Sequence, residues 1–143
     1  MSWWGRALPM GLILVLATAC VTPEDKALED AQAACVYLGL PQNRGADNKP
    51  DETEWSTGRW KEAGDDLDAT VKQAARAAQQ DARWNSLSNE ITKMQEWADQ
   101  NAIATDPDST AEQRAAAQAV LAGINGPESV RILKQECLKA VAK

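Results

Sequence analysis

Histidine and phenylalanine are absent from the 143 residues, and tyrosine occurs once. Without an imidazole the chain has no histidine zinc centre and neither a Ser-His-Asp nor a Cys-His catalytic arrangement. A glycine loop of the phosphate-cradling kind is also missing. The bulk of any core must come from aliphatics and from tryptophan, of which there are six, two of them (Trp3 and Trp4) within the first nineteen residues,. The β-branched and aromatic mixture that packs on pleated strands is scarce, while alanine is abundant, which favours helix over sheet. Clusters of basic residues are lacking as well: 15 Lys and Arg are dispersed among 21 Asp and Glu, for a net charge of −6. Counterion release needs clustered cations, so nucleic acid is not an expected partner. Nor is charge expected to hold the chain on anionic lipid. The apolar run from Ala7 to Leu16, broken at Pro9, falls short of the roughly 20 residues that span a hydrocarbon core,.

What is present begins with export grammar. Arg6 and the initiator amine precede that apolar run, and Ala17-Thr18-Ala19 forms a small-residue exit, the layout of a signal peptide over residues 1–19,. Leu16-Ala17-Thr18-Ala19-Cys20 resembles a bacterial lipobox, with Ala17 where such boxes most often carry leucine. The resemblance covers the leader only. It implies that Cys20 is diacylated on sulfur and becomes the mature N-terminus. The protein would then be extracytoplasmic, on the cell membrane or the outer membrane. The same residues also fit an ordinary A-x-A cleavage, which would release a soluble form. Cysteine parity favours the lipid: three cysteines leave one over after a bridge, and acylation of Cys20 consumes it,. Two or more acyl chains anchor durably where one does not.

Residues 20–143 have the size of one helical domain. Thr22-Pro23-Glu24-Asp25 predicts a helix start and Gly39-Leu40-Pro41 its stop, with Leu28, Ala31, Cys35 and Leu38 on one face,. Residues 42–56 read as an exposed loop. A second stripe follows: Trp60, Gly64, Leu67, Val71, Ala74 and Ala78. A third runs through Trp84, Leu87, Ile91, Met94 and Ala98, and nothing between the two breaks a helix by composition. One helix across both would be roughly 70 Å long, so a tight reversal capped by Asp81 is preferred. Thr110-x-x-Gln113 predicts a capping box, and Pro127-Glu128 starts a last helix carrying Val130, Leu133, Cys137 and Val141 inward,. The expected fold is an all-α bundle of about five helices.

Cys35 and Cys137 lie on inward faces of the first and last helices, in a compartment where disulfides persist, and are expected to pair. Trp55, Arg59 and Trp60 flank the start of the second helix and form a possible partner contact, while the blander reading puts Trp60 at the head of the core stripe,. Asp106-x-Asp108-x-Thr110-x-Glu112 opens like a calcium loop but has no glycine sixth and no glutamate twelfth, so it reads as helix capping and no metal is expected,. Asp65, Asp66 and Asp68 point in different directions from one helix and read as a solvated face. The expectation is therefore a non-catalytic helical interaction module without a cofactor, held on a membrane by N-terminal lipid and engaging an envelope protein. Two alternatives stand beside it: a carrier of small apolar ligands in a cavity lined by Trp60, Trp84 and Met94, and a prophage- or plasmid-borne exclusion lipoprotein.

Overall fold

A computed structural model describes residues 21–38 and 56–142. The expected lipobox with Cys20, the 42–55 stretch and Trp55 lie outside the described residues. Five helices form among those described: α1 (Pro23–Tyr37), α2 (Thr57–Gln80), α3 (Asn85–Thr105), α4 (Ala111–Gly123) and α5 (Gly126–Val141). None is long and apolar enough to cross a membrane.

The helix boundaries follow from local chemistry. Thr22 accepts from the Asp25 amide while the Asp25 carboxylate accepts from the Thr22 amide, a capping box with Pro23 at the first helical position,. Thr110 and Gln113 repeat the device at α4. Ser56 caps α2. At Asp81 the backbone turns extended (φ −149°, ψ 114°), and its carboxylate accepts from the Arg83 amide to start one 3-10 turn, Ala82–Trp84, that leads into α3. The stretch from 57 to 105 is thus two helices folded into a hairpin, without glycine or proline at the bend.

Neighbouring helices run antiparallel. Asp30 of α1 meets Arg76 and Gln80 of α2, and the Gln32 amide donates to the Ala140 carbonyl of α5. Leu28, Arg83, Trp84 and Lys139 meet at the hairpin end. α1, the second half of α2, the first half of α3 and α5 therefore make a four-helix arrangement. Its core holds Ala27, Ala31, Ala34, Cys35, Ala74, Ala77, Trp84, Leu87, Ile91, Leu133, Cys137 and Ala140. The bundle narrows beyond α1. There α4 packs along α3, and a second core of Trp60, Ala98 and Ala102 is flanked by Ala63, Leu67 and Trp97.

Two details of the expected packing are corrected. Val130 and Val141 of α5 are 37% and 49% exposed; the buried face of that helix is Ser129, Leu133, Glu136, Cys137 and Ala140. Val130, seven residues before Cys137, shares its face but lies past the C-terminal end of α1 and so is left uncovered, while Val141 is the last residue of α5,. In α2 the fully buried stripe is Trp60, Gly64, Thr70, Ala74 and Ala77, with Leu67, Val71 and Ala78 half-buried at its margin. Glycine at 64 leaves room for the Asp99 carboxylate of α3: a Cβ there would sit 2.5 Å from Asp99 Oδ1.

Candidate functional site

The expected pairing of Cys35 with Cys137 is present, joining α1 to α5 with Cα atoms 5.5 Å apart across 102 residues of sequence. Both cysteines are buried and neither is a reactive thiol. Their bond is structural.

Of the three residues proposed to meet a partner, the structure brings two into the described region. Arg59 is exposed on the first turn of α2. Trp60 is 2% exposed, and its ring meets that of Trp97 edge-on at 4.9 Å, so its bulk fills the second core and offers no surface,. Trp84 is likewise buried in the main core, with Arg83 stacked 5.2 Å over its ring,. Trp60 and Trp84 thus belong to different cores and do not share a cavity with Met94.

Apolar surface is concentrated elsewhere. Past the C-terminal end of α1 a groove of about 500 Å³ opens between α3 and α5, floored by Met94, Trp97, Ile124, Pro127 and Val130, with Arg131 and Lys134 at its rim. The Arg131 guanidinium is engaged by both carboxylate oxygens of Glu128. The short length of α1 was legible, but the emptied slot beside α5 was not, because Val130 was assigned to the core. A second apolar surface is the outer side of α4. This helix buries only Ala117, while Ala115, Ala116, Ala119 and Val120 are exposed.

The acidic residues divide into those used for structure and those left to solvent. Asp106 accepts from the Asp108 amide and pairs with Lys61 at 3.4 Å, while Arg114 donates to its carbonyl. The Asp108 amide, more than Lys61, holds its carboxyl below the usual carboxylate range,. This is a turn fastened for the start of α4, as the capping reading expected. Asp65, Asp66 and Asp68 are exposed on α2. Asp99, opposite them on α3, has its carboxyl pushed up by desolvation and then by the charges of Asp68 and Asp65,. No three acidic or cysteine side chains among the described residues converge on a metal-sized site.

Two buried carboxylates were missed by the sequence reading. Glu90 and Glu136, 6% and 5% exposed, each receive a lysine one turn on, from Lys93 and Lys139, at 2.6 Å. Burial raises Glu90, but the hydrogen bonds of Lys93 and Ser129 outweigh it and bring its pKa below the ordinary value. The Glu-x-x-Lys spacing was the available signal, as it lets a long amine reach back over a carboxylate facing inward. Models of protein families, curated proteins and solved structures were all compared with the chain, and none matches it.

Proposed function

We propose that the protein is a lipid-anchored envelope component whose helical body is a non-catalytic interaction module. The observation that carries this reading is α4, a thirteen-residue helix that buries one residue and holds exposed Ala115, Ala116, Ala119 and Val120 outward on a disulfide-bound frame. Small apolar side chains on a helix face lose little rotamer entropy on docking, so such a face suits another helix. The leader supplies location through acylated Cys20, and the disulfide suits an oxidising compartment.

The test is photo-crosslinking in intact cells from residues 116 and 120, with residue 29 on α1 as a control. The expected result is one defined protein adduct from α4 positions that is absent at 29. Random neighbours from all three positions would remove the reason to favour an interaction module. Mass analysis of the mature N-terminus in the same preparation tests the anchor separately.

The groove beside Met94 and Trp97 favours a second reading, a carrier of small apolar ligands. A solvatochromic dye displaced by envelope lipid extract, with the displacement lost in Val130→Asp, would support it. Absence of dye uptake by the folded protein would rule against it.

A further inference from the structure

We infer that the hairpin end of the bundle is the membrane-facing end, and that Arg83 and Lys139 take the phosphate of a phospholipid headgroup in the cleft they rim. The inference rests on the lipid-anchor reading and adds to it an orientation and a headgroup site.

The tether sets the geometry. Cys20 precedes the α1 cap Thr22 by two residues, at most about 7 Å of extended chain,. From Thr22 to Leu28 is about 9 Å along the helix. Leu28 lines a cleft of about 280 Å³ together with Arg83, Trp84 and Lys139. An acylated Cys20 therefore places this cleft near the headgroup layer once the bundle leans on its anchor.

The chemistry at that end fits a phosphate. Arg83 and Lys139 are cations with substantial exposure, 38% and 63% of their side chains, and their carboxylate partners Asp81 and Glu136 are the more buried members of each pair. Each cation is paired with its carboxylate through one nitrogen, which leaves further N–H donors of the ammonium and guanidinium for an anion,. Trp84, which lines the cleft, carries the only buried side-chain donor among the described residues that lacks an acceptor, its indole Nε1. Around this end, Val21 and Val141 are exposed, 57% and 49%, and suit the apolar side of an interface,.

Charge across the molecule points the same way. The solvated carboxylates of Asp65, Asp66, Asp68, Asp99 and Asp108 on the half away from the hairpin end outnumber the exposed Glu24, Asp25 and Glu29 of α1 beside it. An anionic bilayer repels that half, and the tether then presents the end with Arg83 and Lys139. Overall acidity and local headgroup contact are thereby compatible.

The experiment uses the lipidated mature protein in vesicles of phosphatidylethanolamine and phosphatidylglycerol, compared with the same protein in micelles of a neutral, phosphate-free detergent. Lysines are acylated with an amine-reactive ester and read by mass analysis. Docking is expected to slow labelling of Lys139 about fivefold in vesicles, as one headgroup contact per cation implies, while Lys61, at the opposite end, changes less than about twofold. Arg83→Glu, whose folding is checked by thermal unfolding, should return Lys139 to within about twofold of its micelle rate. Equal labelling of Lys139 in vesicles and micelles would overturn the orientation. Unchanged protection in Arg83→Glu would overturn the headgroup site, and equal protection by inorganic phosphate in micelles would assign the cleft to a free anion instead. An N-terminal mass without acyl chains would show that the anchor reading itself had failed, taking this inference with it.

Discussion

Helix α1 and the far half of the α2–α3 hairpin meet the same packing problem with opposite materials. At the hairpin end, α1 contributes only Ala27, Ala31, Ala34 and Cys35 to the fully buried set. At the other end Trp60 and Trp97 meet edge to face between α2 and α3, with no α1 beside them. A buried methyl contributes about 0.8 kcal/mol, whereas a buried large side chain contributes about 1.5–3. Helix α1 therefore lies close to its neighbours but is held weakly by apolar burial, and the Cys35–Cys137 bond supplies what packing does not. The Trp60–Trp97 contact has the reverse balance, with large rings buried and no covalent tie. Small residues allow close approach; they do not by themselves hold a helix down.

If that contrast is right, truncating the tryptophan end should have the largest effect. Trp60→Ala removes a buried indole and its ring partner at once, and is expected to cost about 3–5 kcal/mol of unfolding free energy, measured by urea titration. Removing the clasp comes next. Cys35→Ala with Cys137→Ala opens a loop of about 100 residues, for which chain entropy sets an upper value near 4.7 kcal/mol and ordinary experience about 2–5. The sharper readout is hydrogen exchange: α1 amides should lose protection before those of the α2–α3 hairpin. Uniform loss across all helices would mean that α1 is held as firmly as the rest, which would dissolve the distinction between α1 and the hairpin. A smaller effect is expected from Ala31→Leu, which forces three extra carbons between helices that alanine brought together and should cost about 1–3 kcal/mol.

Much of this architecture was written in short-range chemistry. Thr22 with Asp25 and Thr110 with Gln113 mark helix starts that need nothing from the rest of the chain. Asp81 ended α2 without glycine or proline, and was legible because a carboxylate can cap the following turn and because one unbroken helix would have left its apolar stripe uncovered,. The bridge was legible from parity and helix faces together. Rotation of each helix about its axis was less so, since a stripe of apolar residues spans more than 100° and the neighbouring helices select within it. Thr70 therefore lies inside, while Val130, on the face of Cys137 but past the end of α1, lies outside. Trp60 had two readings, and only its contact with Trp97 on another helix separates them. Glu90 and Glu136 escaped notice because burial of a carboxylate depends on a lysine folding over it, which composition does not report. The groove past α1 and the cleft at Arg83 both arise from where helices stop relative to one another, a property of the assembly.

The smallest expected effect tests the electrostatic side of the comparison. Between α3 and the start of α5, Glu90 is held below its ordinary pKa after the lysine and serine hydrogen bonds offset burial; on the side of α3 facing α2, Asp99 is raised, first by desolvation and then by Asp68 and Asp65. The signs are opposite. Glu90 contributes stability that is present above its unfolded pKa, 4.5, and is lost as the pH falls through its lower folded value,. Asp99 binds its proton more readily in the folded chain, so its contribution is fully present below its unfolded value, 3.8, and disappears as the pH rises through the folded one,. At pH 7 Asp99 is charged beside like charges, and Asp99→Asn should raise the urea midpoint there. Because the side chain is exposed and screened, the gain should be no more than about 0.5 kcal/mol. Near pH 3 aspartate is largely protonated and the gain should vanish. A midpoint difference that stays constant from pH 3 to pH 7 would show that asparagine acts through packing against Gly64, and that the two sides of α3 do not differ in their electrostatics as the arrangement of Asp65, Asp68 and Asp99 implies.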